Sequence, residues 1–316
     1  DGKQRTAVCC LSSLNIDTYD QWKDNSQFVE DVMRFLDNVM SDFINRAPNE
    51  FAHAKYSAMR ERSVGLGVMG LHSYFQQKNI PFGSVMSKVW NKKIFKNIQE
   101  KVDAASISLA EERGACPDAA DYGFKERFSN KTAIAPTASI SVICGGASPG
   151  VEPVAANSYT HKTLSGSFNV KNRYLVELLD KHGKNTDEVW SSITTNQGSV
   201  SHLDFLTDLE RDVFKTAFEL DQKWIIELSG DRTPHISQAQ SVNLFLAADV
   251  HKKELHRIHF DAWKKGLKSL YYCRSKSIQR AENVNDAKLT DVTANVYKSK
   301  NQQKEEQEYE ECLSCQ

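Results

Sequence analysis

The hydrophobic positions divide the chain into helical and strand-like stretches. Apolar residues recur at helical spacing between Phe28 and Ile44, which predicts an amphipathic helix over about 20–46. Similar patterns predict further helices over 68–78, 88–113, 204–228 and 252–268, with a short one near 173–182. Apolar runs predict strands over 7–14, 241–247 and 269–273. The strand–helix–strand order of the last three elements indicates a βαβ unit, and therefore a parallel sheet.

Apolar residues become sparse after about residue 275, where Lys, Glu, Gln and Asn dominate. Such a segment cannot bury enough apolar surface to offset the entropy of ordering. We therefore expect one folded unit over 1–274 and a mostly disordered tail over 275–316.

Composition and charge narrow the possible functions. The chain has 316 residues and a net charge of -1, which argues against a nucleic-acid-binding protein because such proteins need a basic face. The sequence contains no run of 18 apolar residues, so it predicts no membrane span. The first residues, DGKQRTAVCC, lack the basic and then apolar layout of a signal peptide. Seven scattered cysteines do not suggest a disulfide framework, so we expect a reducing, cytoplasmic environment.

The chain begins without Met and enters the strand-like run AVCCLSSL almost at once. A domain rarely opens within an element, so we expect this sequence to be part of a larger assembly or polypeptide.

The stretch GLGVMG (65–70) fits the glycine pattern of dinucleotide-binding proteins. That function requires a preceding strand and a later acidic residue, but the preceding KYSAMRERSV is charged and no acid stands at a suitable distance. We favour glycines that let a helix N-terminus pack closely on neighbouring backbone.

Three histidines, His251, His256 and His259, lie within one predicted helix or just before it. The spacing of His256 and His259 suits two metal ligands on one helix face, but no nearby set of Cys, Asp and His completes a coordination shell. A solvated pair is the favoured interpretation.

Cys312 and Cys315 form a Cys-x-x-Cys pair at the end of the tail. Zinc would need four ligands, and the sequence has no second such pair. A close dithiol can instead exchange with a disulfide, one thiolate attacking and the other resolving the product. An accidental pairing in an unstructured tail remains the alternative.

Two further stretches are candidates for chemistry. Tyr271 and Tyr272 lie at the end of the predicted strand 269–273. They are either one packed ring and one surface ring, or a pair of stacked phenols that pass an electron. The loop APTASIS (135–141) is either a plain turn or an anion-binding nest of backbone amides.

Several of these stretches together resemble the C-terminal half of the large subunit of class I ribonucleotide reductase. The matching runs are AVCCLSSLN, RSVGLGVMGL, APTASIS followed by GVEP, YTHKTLSGSF, SVNLFLA, HFDAWKKGLKSLYYCRSK and the terminal cysteine pair. The resemblance implies an α/β fold: the second, five-stranded half of a ten-stranded α/β barrel with parallel strands and crossover helices, plus the flexible C-terminal tail.

The resemblance also implies roles for individual residues. Cys9 corresponds to a thiol that reduces the substrate and ends in a disulfide, although the adjacent Cys10 departs from the family pattern. Tyr271 and Tyr272 correspond to a radical relay, and Cys312 with Cys315 to the thiols that reduce the active-site disulfide. The substrate diphosphate would bind the loop formed by Thr137, Ala138, Ser139 and Ile140.

The family's thiyl cysteine lies in an Asn-x-Cys-x-Glu loop, and no cysteine of this sequence has those neighbours. The resemblance therefore implies an N-terminal half of the large subunit as partner, which would also hold most ATP or dNTP effector sites. It implies no cofactor or metal bound by this chain, a metal-containing small subunit that supplies the radical and docks partly on helix 252–268, thioredoxin or glutaredoxin as reductant, and a ribonucleoside diphosphate as substrate. A reductase-like module that only binds a partner is the alternative.

Overall fold

The computed structural model of the chain describes residues 2–163 and 166–275. Cys312, Cys315 and nearly all of the predicted tail lie outside the described residues. The described strands are β1 (Cys10–Asn15), β2 (Val64–Met69), β3 (Ser158–Thr163), β4 (Gly166–Lys171), β5 (Leu244–Leu246) and β6 (Cys273–Ser275). The described α-helices are α1 (Tyr19–Trp22), α2 (Ser26–Arg46), α3 (Ala52–Glu61), α4 (Leu71–Gln77), α5 (Val85–Arg113), α6 (Pro117–Asp121), α7 (Ala138–Ile143), α8 (Arg173–Lys181), α9 (Asp187–Thr195), α10 (Asp208–Val213), α11 (Lys223–Arg232) and α12 (Lys252–Lys264).

Five parallel segments lie side by side. Strand β1 pairs with β2, and Leu66 of β2 forms a parallel bridge to Thr132 in the third segment, 130–134. A second parallel bridge joins Ile134 to Gln240 in the fourth segment, 238–246, which includes β5. Strand β5 then pairs in parallel with β6, the fifth segment. The fold is α/β, with helices covering the parallel segments.

Helix α5 packs against both α2 and α11 over these segments. Their buried side chains, among them Met33, Ile98 and Ile225, join those of β1 and β2 in the main hydrophobic core. Ser84 caps the start of α5 and accepts a hydrogen bond from the Ser87 amide, and Gly114 follows the last residue of the helix, as the sequence predicts. Burial of these apolar faces is the main force that holds the helices on the sheet.

A second, smaller core lies apart from the first. Helices α8, α9 and α10 enclose Leu175, Trp190 and Phe214, and these side chains form a separate cluster with their neighbours. The antiparallel hairpin β3–β4 leads into this region. Of helices α8 and α9, the sequence predicts only the one near 173–182, which the structure confirms as α8.

Gly65 and Gly67 lie inside β2, so the interpretation that these two glycines belong to a helix N-terminus is wrong. All six residues of Val64–Met69 are buried, and helix α4 starts only at Leu71 rather than at 68. The charged stretch before them is not a buried strand, as predicted, because most of its residues belong to helix α3. Gly70, with φ of 80°, makes the turn between β2 and α4.

Two further predictions need correction. The stretch 204–228 is not one helix: α10 ends at Val213, and α11 begins only at Lys223. The loop between them is partly buried because Ala217 and Leu220 join the main core, and the Ala217 amide donates to Val154 O at 2.8 Å. The residues after Pro136, predicted as a loop, form helix α7 from Ala138 onwards rather than a plain turn.

The remaining elements agree with the sequence within a few residues. The first strand is Cys10–Asn15, and Leu14 is its buried side chain, whereas Leu11 is exposed. The predicted helix 20–46 is interrupted at 23–25, where Asn25 caps α2. The βαβ unit is confirmed, since β5 and β6 are parallel and α12 connects them. No helix in the described part of the chain is both long and apolar enough to cross a membrane.

Candidate functional site

A cavity of about 360 Å³ lies where the third segment ends. It is lined by Ala135, Pro136, Thr137 and Ala138, which follow the third segment, and by Asn243, Phe245, Arg274 and Ser275 of the fourth and fifth segments. Crevices beyond the carboxyl ends of parallel strands are common ligand sites in α/β proteins. The rings of Phe218 and Phe245 meet edge to face at 5.3 Å and give the cavity an apolar side.

The loop predicted to bind the diphosphate contributes to this cavity in part. Thr137 is buried, and its Oγ1 accepts a hydrogen bond from the Gly150 amide at 2.6 Å instead of capping α7. Ala138 opens α7, whose first amides have no acceptor inside the helix. Ser139 and Ile140 are exposed and do not line the cavity.

Glu152 is a cavity residue that the sequence did not single out. It is buried, and its Oε1 accepts hydrogen bonds from the Asn243 amide at 2.7 Å and from Asn243 Nδ2 at 3.3 Å. Burial raises the pKa of Glu152, although the hydrogen bond from Asn243 opposes this shift. The signal for it in the sequence is an acidic residue inside the otherwise apolar run GVEPVAA.

Tyr271 and Tyr272 lie directly before β6. Their ring centroids are 4.1 Å apart, and the rings are tilted by 52°, so they touch without parallel stacking. Both side chains are partly exposed, which excludes the arrangement with one fully packed ring. The Tyr271 amide donates to Val242 O, and Tyr272 O accepts from the Leu244 amide, each at 2.8 Å, so the pair is fixed to the strand that borders the cavity.

Cys9 lies just before β1 and is exposed, whereas Cys10 is half-buried. Burial raises the pKa of the Cys10 thiol, and the neighbouring Cys9 adds to that shift. The side-chain nitrogen Nε2 of Gln238 lies 3.2 Å from Cys9 Sγ, a contact that the sequence did not predict.

The histidines of the α12 region have other contacts. His251 caps the helix through the Lys253 amide, and His256 stacks on Phe260. His259 Nδ1 lies 2.8 Å from Leu255 O. Among residues 2–163 and 166–275, no three His, Cys, Asp or Glu side chains form a potential metal-binding group.

Parallel strands, crossover helices and a cavity at the strand ends define an α/β protein with an enzyme-like cleft. The sequence profile of the family "Ribonucleotide reductase, barrel domain" matches residues 1–125 and 118–273. The chain therefore belongs to the ribonucleotide reductase barrel-domain family.

Individual relatives agree with this assignment. The chain is 50% identical over 284 residues to the ribonucleoside-diphosphate reductase large subunit of Invertebrate iridescent virus 6, covering 89% of this chain and 29% of that protein. It is 39% identical over 315 residues to the putative large subunit of Frog virus 3, covering 99% of this chain and 52% of that protein. The solved class Id ribonucleotide reductase alpha subunit of Actinobacillus ureae superposes with a TM-score of 0.81 at 40% identity, over 88% of this chain and 52% of that one. The chain thus spans about half, or less, of these relatives.

Proposed function

We propose that this chain forms the C-terminal part of the catalytic barrel of a class I ribonucleoside-diphosphate reductase. Residues 1–274 would contribute one half of the barrel, and 275–316 a tail that carries Cys312 and Cys315 to it. The product would be a deoxyribonucleotide. The tail would act as a tether, since a 40-residue coil spans about 35 Å root-mean-square.

The observation that carries the proposal is that one cavity adjoins both the 135–138 loop and the strand that follows the tyrosine pair. Thr137 and Ala138 offer a hydroxyl and a helix-opening amide to this cavity. Arg274 brings a positive charge to the same cavity, and its guanidinium lies 5.6 Å from the centre of the Tyr272 ring. These groups suit the anionic part of a substrate.

On this proposal, two thiols supply the two electrons that reduce the ribose, and they end as a disulfide. Cys9 is one of them, and the other belongs to the N-terminal half. Tyr271 and Tyr272 relay a radical that originates in the metal-containing small subunit, which docks partly on α12. The tail dithiol then reduces the disulfide and is itself reduced by thioredoxin or glutaredoxin.

Reconstitution tests the proposal. The isolated chain should not reduce ribonucleoside diphosphates, because its sequence has no Asn-x-Cys-x-Glu loop. Mixing it with an N-terminal half that carries this loop, the small subunit, an effector nucleotide and thioredoxin should restore deoxyribonucleotide formation. Turnover by this chain with the small subunit alone would contradict the proposed division of labour.

A reductase-like module that only binds a partner is the second candidate, and a Cys315→Ser variant separates the two. In the reconstituted enzyme this variant should lose turnover driven by thioredoxin and keep turnover driven by a small dithiol. Unchanged turnover with both reductants would argue against the role of the tail. No turnover from any reconstituted wild-type mixture would favour the binding module.

A further inference from the structure

The contact between Gln238 and Cys9 has a defined orientation. Gln238 Nε2 lies 3.2 Å from Cys9 Sγ and 3.0 Å from the carbonyl oxygen of Val64. A carbonyl oxygen only accepts hydrogen bonds, so the group facing it must be the NH2 end of the amide. One N–H therefore points to Val64 O, and the second is available to the sulfur.

The backbone around Gln238 is fixed on both sides. Its amide donates to Thr132 O at 3.0 Å, which joins the fourth segment to the third. Its carbonyl accepts from Lys268 Nζ at 2.9 Å. The side chain therefore extends toward Cys9 from a backbone that hydrogen bonds hold on both sides.

The surroundings distinguish Cys9 from its neighbour. Cys10 packs against the main core and is half-buried, whereas Cys9 is exposed to an approaching thiol. The space beside Cys9 depends on Gly65, because a Cβ there would lie 3.2 Å from Cys9 Sγ and 2.6 Å from Leu11 Cδ2. An exposed sulfur with a fixed donor beside it is suited to exchange reactions.

We propose that Gln238 positions and stabilises Cys9 as the leaving thiolate in disulfide exchange, which identifies Cys9 rather than Cys10 as the redox thiol. The inference deepens the proposed function and rests on it. In the step, a thiolate of the tail dithiol attacks the sulfur bonded to Cys9, and a new S–S bond forms. The bond to Cys9 breaks, and Cys9 keeps the electron pair until it takes a proton from water.

The physical basis is the charge that develops on the sulfur. A hydrogen bond to an ionised acceptor is roughly twice as strong as one to a neutral acceptor, so the N–H of Gln238 favours the thiolate over the thiol or disulfide. Exchange is faster when the leaving thiolate is more stable.

Alkylation of the full chain by iodoacetamide tests the hydrogen bond without requiring enzyme activity. In Gln238→Leu, which lacks the donor, alkylation of Cys9 at pH 7 should be about threefold slower, because loss of the hydrogen bond outweighs the higher nucleophilicity of the sulfur, whose Brønsted coefficient is about 0.4–0.5. At a high pH, where Cys9 is a thiolate in both proteins, Cys9 of the variant should react about threefold faster.

This crossing of the two pH profiles is the decisive result, because a change of shape or access at Cys9 would move the rate in one direction at every pH. Peptide mass spectrometry reads each cysteine separately, so the exposed Cys144 and Cys273 serve as controls within the same molecule. Gln27→Leu, on the exposed face of α2, should leave the Cys9 profile unchanged. Gln238→Met keeps the side-chain length with neither a donor nor a charge, and it replaces the Leu variant if that protein unfolds.

Profiles that do not cross would overturn the inference, even if the reconstituted enzyme is active. Crossing profiles together with an inactive reconstituted enzyme would leave the hydrogen bond established and count against the proposed function. Faster alkylation of Cys10 than of Cys9 in the wild-type chain would reverse the assignment of the redox thiol.

Discussion

Gly67 illustrates how a single position constrains the sheet. A Cβ on this residue would collide with the carbonyl oxygen of Ala133 and lie 3.4 Å from Ile134 Cα. The third segment can therefore lie against β2 only because position 67 has no side chain. The glycine pattern that resembles a nucleotide-binding motif is explained here by close packing of two strands.

Replacing Gly67 with Ala should lower the free energy of unfolding by about 1–3 kcal/mol, because the third segment must move away from β2. Urea unfolding followed by circular dichroism measures the change. Gly183→Ala is a comparison variant, since a Cβ there meets nothing within 4 Å and its loss reports only the unfavourable φ of 63°. A neutral or stabilising Gly67→Ala would contradict the steric explanation, because Ala is otherwise favoured over Gly inside a strand.

At the scale of single residues, the sequence identified side chains of recognisable chemistry but not the buried or distant residues that surround them. Cys9, Thr137 and the tyrosines were candidates because thiols, hydroxyls and paired phenols suggest reactions. Gln238 and Glu152 were not, because their importance comes from partners far away in sequence: Cys9 lies 229 residues from Gln238, and Asn243 lies 91 residues from Glu152.

At the scale of elements, one carboxylate joins several helices. The side chain of Asp37 in α2 is fully buried and accepts hydrogen bonds from Arg62 and Arg127 at 2.8 Å and from Arg113 at 2.9 Å. Arg62 follows α3 and Arg113 ends α5, so the cluster fixes the relative positions of three helices. Burial raises the pKa of Asp37, but the guanidinium groups outweigh it and the net shift is downward.

Replacing Asp37 with Asn should cost about 3–5 kcal/mol of unfolding free energy at pH 7, because the buried guanidinium groups lose their counter-charge. The lowered pKa also defines a pH dependence. The stabilising contribution of Asp37 is present above its unfolded pKa of about 3.9 and is lost as the pH falls through the lower folded pKa. Between pH 7 and pH 3, the free energy of unfolding should therefore fall less in Asp37→Asn than in the wild-type protein.

The exposed pair of Asp42 and Arg46, 3.5 Å apart on the same helix, provides the comparison. Asp42→Asn should change the unfolding free energy by less than about 0.5 kcal/mol, as is usual for surface ion pairs. If Asp37→Asn costs no more than Asp42→Asn, the cluster does not hold the helices together.

The elements that the sequence predicted best are those with long, one-sided apolar patterns, α2 and α5. The failures have physical causes. Strand β2 is buried throughout and rich in glycine. Its sequence therefore lacks both the alternation of apolar and polar residues and the high content of β-branched residues that predict a strand. The loop between α10 and α11 was predicted as helix because its apolar residues continue the pattern of the flanking helices. These residues are apolar because the loop packs on the sheet, where Gln222 Oε1 accepts a hydrogen bond from the Phe245 amide at 2.7 Å.

At the scale of the whole molecule, the five parallel segments bring distant stretches to one cavity. The tyrosine pair is fixed to the fourth segment by two backbone hydrogen bonds, and the same segment lines the cavity. A relay through the phenols would therefore end close to a bound substrate. The β1 end of the row has no further strand among the described residues, and Leu11 there is 54% exposed.

Replacing Tyr272 with Phe tests this arrangement in the reconstituted enzyme. The phenol O–H is lost while the ring is kept, so turnover should disappear and the unfolding free energy should change by less than about 0.5 kcal/mol. Deoxyribonucleotide formation and thermal unfolding are the two measurements. Tyr122→Phe, at a side chain that is 82% exposed, should keep full turnover. Normal turnover in Tyr272→Phe would exclude the relay.

The second hydrophobic core has a consequence for how chains of this kind can change in length. The excursion from about 158 to 213 leaves and rejoins the main body at nearly one point, because Asn157 Nδ2 donates to Phe214 O at 2.7 Å. Its own side chains cover its interior, although Asn172, Arg173 and Tyr174 at the start of α8 also bind Gln76 and Asp17 of the main body. Insertions, deletions or a grafted domain between α8 and Phe214 should therefore be tolerated here better than anywhere within the sheet, since loop closure costs only about 0.6 kcal/mol for each doubling of loop length.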